Sequence, residues 1–185
     1  MICVNMSGGL GNQMFQYAAG HSLASRIGCD LHVVDDMHAI YGLQSKYMLK
    51  NIFGIESREV DKQGMHSAFG WRALPQVRRL MSKPSFHWLA TEGFVFEPHF
   101  HYWPAFRHLT SARYLHGYWQ SARYFEGYES AIRQAFTFPG TLGGDDLAVL
   151  ELMRQQPSVA VHVRRGDYTN AKNSQVYVQA GREYY

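Results

Sequence analysis

The chain opens on an apolar run from Ile2 to Met6, broken by Asn5, and the cluster SGGLGN that follows punctuates it as a loop after a strand. From Asn12 the period changes. Met14, Phe15, Ala18, Ala19, Leu23 and Ile27 recur at three- and four-residue spacings, which predicts an amphipathic helix ending near Gly28. Leu31 to Val34 reads as a second strand running into Asp35 and Asp36, so the opening is a strand, loop, helix, strand unit, the start of an α/β layer with parallel strands. From Met37 to Pro98 the pattern is irregular, with a short helix expected in KYMLKNIFGI and another in FGWRALPQVRRLM, across or after Pro75. Phe94 to Trp119 is crowded with aromatics and histidines, and Phe125, Tyr128, Ile132 and Phe136 then predict a helix over Ala122 to Phe136. A further helix is expected over Gly144 to Gln155, ended by Pro157. Beyond it Val159, Val161 and Val163 alternate with Ala160, His162 and Arg164 as in a strand.

Composition narrows the class. With 46% hydrophobic and 18% charged positions in 185 residues, the chain can bury a sizeable core, and it is neither disordered nor collagen-like. A formal charge of +3, with no basic stripe interleaved with aromatics, gives no nucleic-acid footprint, so any anion is held locally. Cys3 and Cys29 form neither a disulfide framework nor a CxxC site. No basic stretch precedes a long apolar run, so neither a signal peptide nor a membrane span is predicted. The expected location is the cytoplasm, with attachment to the inner face of a membrane left open.

Two segments carry candidate chemistry. Gly8, Gly9 and Gly11 lie between strand and helix, where missing side chains let a ligand approach and free helix N–H groups can meet an anion. The loop lacks the third glycine of GxGxxG and the Lys-Ser or Lys-Thr of a phosphate-binding loop, yet Asp35 or Asp36 stands about where a ribose-binding acid would. A nicotinamide-dependent oxidoreductase therefore stays open as an alternative. Asn12 and Gln13 can cap the helix or donate to a sugar or phosphate. The second segment is VAVHVRRGDY. Alternation places His162 and Arg164 on one strand face and Arg165 at the strand end beside Gly166, where two guanidiniums can face a diphosphate. Asp167 can orient an arginine, ligate a metal or accept a hydroxyl proton, and His162 taken alone fits an interior, satisfied histidine. His99, His101 and His108 have no acidic or cysteine partner at a familiar ligand spacing, so no metal site is expected. Phe94, Phe96, Trp103, Tyr118 and Trp119 are candidates for a sugar-facing aromatic surface, although core burial is the ordinary use of such residues.

GGLGNQMFQYAAG near the start, HGYWQSARYF in the middle and VHVRRGDY near the end together strongly resemble the alpha-1,2-fucosyltransferases of glycosyltransferase family 11. The resemblance implies inverting transfer of L-fucose from GDP-L-fucose to the 2-hydroxyl of a terminal galactose, without a divalent metal or any further cofactor. It also implies a GT-B architecture of two Rossmann-like lobes, with residues 1–156 as the acceptor-side lobe and 157–185 as the truncated beginning of the donor lobe. Arg164 then contacts the donor phosphates with Arg165 beside it, His162 and Asp167 complete the catalytic motif, and Gly9, Gly11, Asn12 and Gln13 approach the donor from the other lobe. The partners so implied are a nucleotide sugar and a galactose-terminated glycan. Family members continue well past the last residue here, so a non-catalytic glycan-binding lobe or an inactive transferase fragment is the competing expectation.

Overall fold

The computed structural model describes all residues except 36–46, 57, 92, 112, 141–142, 162, 164–183 and 185. Strand β1 (Ile2–Asn5) is buried along its whole length and leads through the glycine loop into helix α1 (Leu10–Ile27). Strand β2 (Leu31–Val34) returns parallel to it, with Ile2 opposite Leu31 and Asn5 opposite Val34. Then come α2 (Leu49–Phe53), the two-residue strand β3 (Arg58–Glu59), α3 (Lys62–Phe69) and α4 (Pro75–Met81). Strands β4 (Phe94–Phe96) and β5 (Tyr114–His116) complete a five-stranded sheet in the order β3-β2-β1-β5-β4, with every pairing parallel. Helix α5 (Glu129–Ala135) ends the first of two compact units, residues 1–139; α6 (Gly144–Gln155) lies in the second, residues 140–185.

Strand alternation sends two apolar sets to opposite faces of the sheet. Ile2, Val4, Val33, Val95 and Leu115 meet Ala19 and Leu23 of α1 on one side. Cys3, Val34, Phe94 and Tyr114 meet Met65 of α3, Met81 of α4 and Ala73, just before α4, on the other. Each large apolar side chain fully withdrawn from water contributes about 1.5–3 kcal/mol, and Ile2, Leu23, Leu115, Phe106 and Trp119 are all at or near zero exposure. The run Ala18, Ala19, Gly20 lets α1 lie close against the sheet: a Cβ on Gly20 would overlap Val4 Cγ2 and come within 3.0 Å of Leu31 Cδ1. Gly28 ends α1 at φ 73, its N–H donating to the carbonyls of Ala24 and Ser25, a left-handed close that favours glycine. Asp61 caps α3 by accepting from the Gly64 N–H at 2.7 Å, and Pro75 stands at the first turn of α4, where its missing N–H costs nothing.

The structure departs from the sequence expectations in several places. Helix α1 begins at Leu10, so Gly9 is its N-cap and Asn12 does not cap it. The helix expected over Ala122 to Phe136 is a 3-10 turn at Ala122–Phe125 followed by α5, divided at Gly127, whose φ of 87 no α-helix accommodates. The stretch FGWRALPQVRRLM likewise holds a 3-10 turn at Gly70–Ala73 before α4. Val159–Ala160–Val161 and Val163 form no strand; no ladder partner reaches them among the described residues, and their side chains are exposed. Strands β4 and β5 sit inside the aromatic segment for which no element was expected. Among the described residues no helix is long and apolar enough to cross a membrane.

Candidate functional site

The strand order reverses at β1: β2 and β3 lie to one side of it, β5 and β4 to the other. In open parallel sheets ligands bind at such a reversal, in the crevice outside the carboxyl ends of the two strands. Here those ends release Met6–Gly9 after β1 and Gly117–Gln120 after β5. Of the sequence-predicted residues, Gly9 lies in the loop after β1, Asn12 and Gln13 stand in the first turn of α1 beside it, and Gly11 lines an apolar groove with Met14, Phe15 and Phe125. A Cβ added to Gly9 or Gly11 would meet open space, whereas one on Gly8, at φ 75, would overlap the Asn12 side chain. Gly8 therefore sets the turn, and Gly9 leaves the approach clear.

Two glutamines on α1 fasten the crevice from within. Gln16, fully buried, accepts from the Ser7 N–H at 2.9 Å and donates to Ser7 Oγ at 3.0 Å and to the Gly117 carbonyl at 3.1 Å, joining the loops that follow β1 and β5. Gln13, 1% exposed, donates to the Gly8 carbonyl at 3.0 Å and accepts from the Met48 N–H at 2.8 Å. Across the mouth, Gln120 Nε2 donates to Asn12 Oδ1 at 2.7 Å. The turn after β5 is held by Glu97, whose carboxylate accepts from the Tyr118 N–H at 2.7 Å and the Trp119 N–H at 3.1 Å. Trp119 has φ 54, the left-handed region, which among the described residues no other non-glycine enters.

Below the crevice the second face of the sheet carries buried polar side chains beside its apolar cluster. Asn5 is 1% exposed with neither amide atom hydrogen-bonded, and continuing the β1–β5 register sets it beside His116, whose Nδ1 is likewise sealed and unpartnered. Burial first, and the Arg78 guanidinium second, push His116 down from 6.5 to about 4, so it is neutral at neutral pH. Arg78 is itself fully buried, donating to the Ala73 carbonyl at 2.9 Å and to the Tyr114 hydroxyl at 3.2 Å.

Of the aromatic candidates, Phe94 and Trp119 are spent in the two core clusters. Tyr118 is half-buried and stacks at 5.9 Å and 18° on Phe100, 72% exposed, so these two rings form an accessible flat surface beside the β5 turn. Asp35, a candidate ribose partner in the oxidoreductase alternative, accepts from the Tyr47 N–H at 2.9 Å; Asp36 lies outside the described residues. His162, Arg164, Arg165 and Asp167 also lie outside them. Gln16, Glu97, Gln120, Phe100, Asn5 and His116 escaped the sequence reading. The visible signal for Gln13 and Gln16 is polar side chains among the apolar positions of α1.

The model of Glycosyl transferase family 11 matches residues 82–185, more than half of the chain. An alpha-1,2-colitosyltransferase of Escherichia coli is 27% identical over 172 residues, covering 92% of this chain and 56% of that protein, so the chain spans about half the length of the curated relative. No solved structure matches it. By the extent of the family match, and in agreement with the motifs at both ends of its sequence, the chain belongs to glycosyl transferase family 11.

Proposed function

We propose that the protein to which these residues belong transfers L-fucose, with inversion, from GDP-β-L-fucose to the 2-hydroxyl of a terminal galactose on a glycan. The observation that carries this reading is the family 11 match over residues 82–185, a span that takes in the VHVRRGDY motif. The relative's name supports an alpha-1,2 linkage, with a colitosyl group as the neighbouring donor choice. Residues 1–156 form the acceptor-side lobe of a GT-B pair in this reading, and 157–185 open the donor lobe. A cytoplasmic location, at or near the inner face of a membrane, suits a nucleotide-sugar donor.

The chemistry is a direct displacement. The galactose 2-hydroxyl attacks the anomeric carbon as its bond to the GDP oxygen breaks, and the hydroxyl proton leaves to a base. Charge develops on the departing diphosphate, where Arg164 and Arg165 supply fixed donors in place of a metal. Asp167 and His162 position those arginines or take the proton. Gly9 leaves room for the donor at the crevice, Gly11 keeps the start of α1 free of a side chain, and Asn12, held by Gln120, presents an amide to the donor. Phe100 and Tyr118 offer the acceptor ring a flat apolar face.

Calorimetric titration with GDP-fucose and GDP tests the reading. Saturable binding is expected, weakened roughly 10- to 100-fold in Arg164→Ala, the range for removing a charge-assisted hydrogen-bond donor. A folded chain that binds a galactose-terminated glycan but neither nucleotide would assign it to glycan binding without transfer.

A further inference from the structure

On the α1 side of the sheet, Arg26, Arg107 and Arg123 line a cavity of about 260 Å³ together with Ser22, Glu126 and Tyr128. The α-helical rise of about 1.5 Å per residue puts Ser22 and Arg26 about 18 and 24 Å along α1 from Leu10, at the far end from the crevice. The cavity is therefore a different place from the crevice.

Its three cations are committed very differently. Arg26 is spent on the backbone, its Nη2 donating to the Phe106 carbonyl at 2.9 Å and the Leu109 carbonyl at 3.2 Å. Arg107 pairs with Glu126, the one acid of the lining, and lies 5.8 Å from the centre of the Tyr102 ring. Arg123 stacks on the same ring at 4.1 Å, and no carboxylate pairs with it among the described residues. Tyr102 thus orders the Arg123 guanidinium, Glu126 holds that of Arg107, and the lining sets three positive charges against one negative. A stacked guanidinium is already ordered, so little rotamer freedom is lost when its planar fork meets an anion. Both guanidiniums line the one cavity, a guanidinium fork matches the oxygens of a tetrahedral dianion, and the half-buried Tyr128 completes the lining.

We infer that this cavity binds an oxyanion of the phosphate or sulfate type, with Arg123 as its principal partner and Arg107 as its second. The group can belong to a soluble phosphate-bearing molecule or to a lipid headgroup; the chemistry at the arginines is the same.

The test titrates the chain with inorganic pyrophosphate at low salt, in the wild type and in Arg123→Gln, Arg123→Lys, Arg107→Gln/Arg123→Gln and Arg164→Ala. Affinity is expected to fall roughly tenfold or more in Arg123→Gln, less in Arg123→Lys, which keeps the charge without the fork, and to vanish at this cavity in the double variant. GDP binding and melting temperature should be unchanged in Arg123→Gln, and the pyrophosphate isotherm should keep one site in Arg164→Ala. Equal affinity in the wild type and the folded Arg123→Gln variant would overturn the inference. So would complete loss of pyrophosphate binding in Arg164→Ala, which would place all anion binding at the donor phosphates. Failure of GDP to bind, with pyrophosphate still lost on changing Arg123, would sink the transfer reading and leave this one standing. Sedimentation with phosphatidylglycerol vesicles against phosphatidylcholine separates the sources: capture lost in Arg123→Gln assigns a headgroup, and pyrophosphate binding without capture assigns a soluble phosphate.

Discussion

Glu97 shows how one side chain can shape a site it does not enter. Its carboxylate takes the N–H groups of both Tyr118 and Trp119, holding the chain in a turn whose Trp119 sits at φ 54. A left-handed non-glycine residue costs roughly 1–2 kcal/mol, offset here by complete burial of the Trp119 ring and by bonds to an ionised acceptor. Gly117 completes the device, since a Cβ there would overlap that of Glu97 and approach its Oε2 to 2.8 Å. Replacing Glu97 by Gln keeps the shape but removes the charge and one acceptor oxygen, and should lower stability by about 1.5–3 kcal/mol, with Glu97→Ala at least as costly. Urea unfolding midpoints measure this. Wild-type midpoints in both variants would show that the turn stands without its carboxylate.

Helix α1 against β1 and β2 is the element pairing on which the crevice rests. Gly20→Ala pits two effects against each other: alanine favours the helix by up to about 1 kcal/mol, while its methyl meets Val4 Cγ2 in a packed interface, an overpacking that costs about 1–3 kcal/mol. Overpacking should win, giving a net loss of about 1–2 kcal/mol in thermal melts, and Val4→Ala in the same chain should restore part of it. A melting temperature above the wild type would mean that α1 slides outward freely. This pairing was legible in the sequence because glycine punctuation, helical period and a following apolar run are all local. β4 and β5 were not, since each has three residues and parallel strands buried on both faces, such as Phe94–Val95–Phe96, do not alternate in polarity. The candidate site divides in the same way. Its glycine loop is a local signal, but the Gln16 bond to Gly117 spans 101 residues and the partners of Glu97 are backbone N–H groups, which no side-chain pattern announces.

At the scale of the whole molecule, the buried polar row beneath the crevice ties the stability of the fold to acid. The chain carries ten histidines and a formal charge of +3, so falling pH raises a positive charge that already exists and adds self-repulsion to any specific effect. His116 supplies the specific effect. Its folded-state value of about 4 lies below the free value of 6.5, chiefly because burial disfavours the imidazolium and secondarily because Arg78 repels it. Above pH 6.5 both folded and unfolded chains hold it neutral and nothing is lost. As pH falls through 6.5 the unfolded chain takes up the proton first, and stability declines by about 1.4 kcal/mol per unit until the folded chain is protonated near pH 4, for a total on the order of 3 kcal/mol. Phenylalanine at this position keeps a ring between Phe96 and Tyr114, which lie 5.6 and 6.4 Å away, and binds no proton. Urea midpoints recorded from pH 8 to 4.5 should therefore fall steeply in the wild type and with a shallower slope in His116→Phe. Parallel slopes would move the acid sensitivity to the other histidines and to net charge.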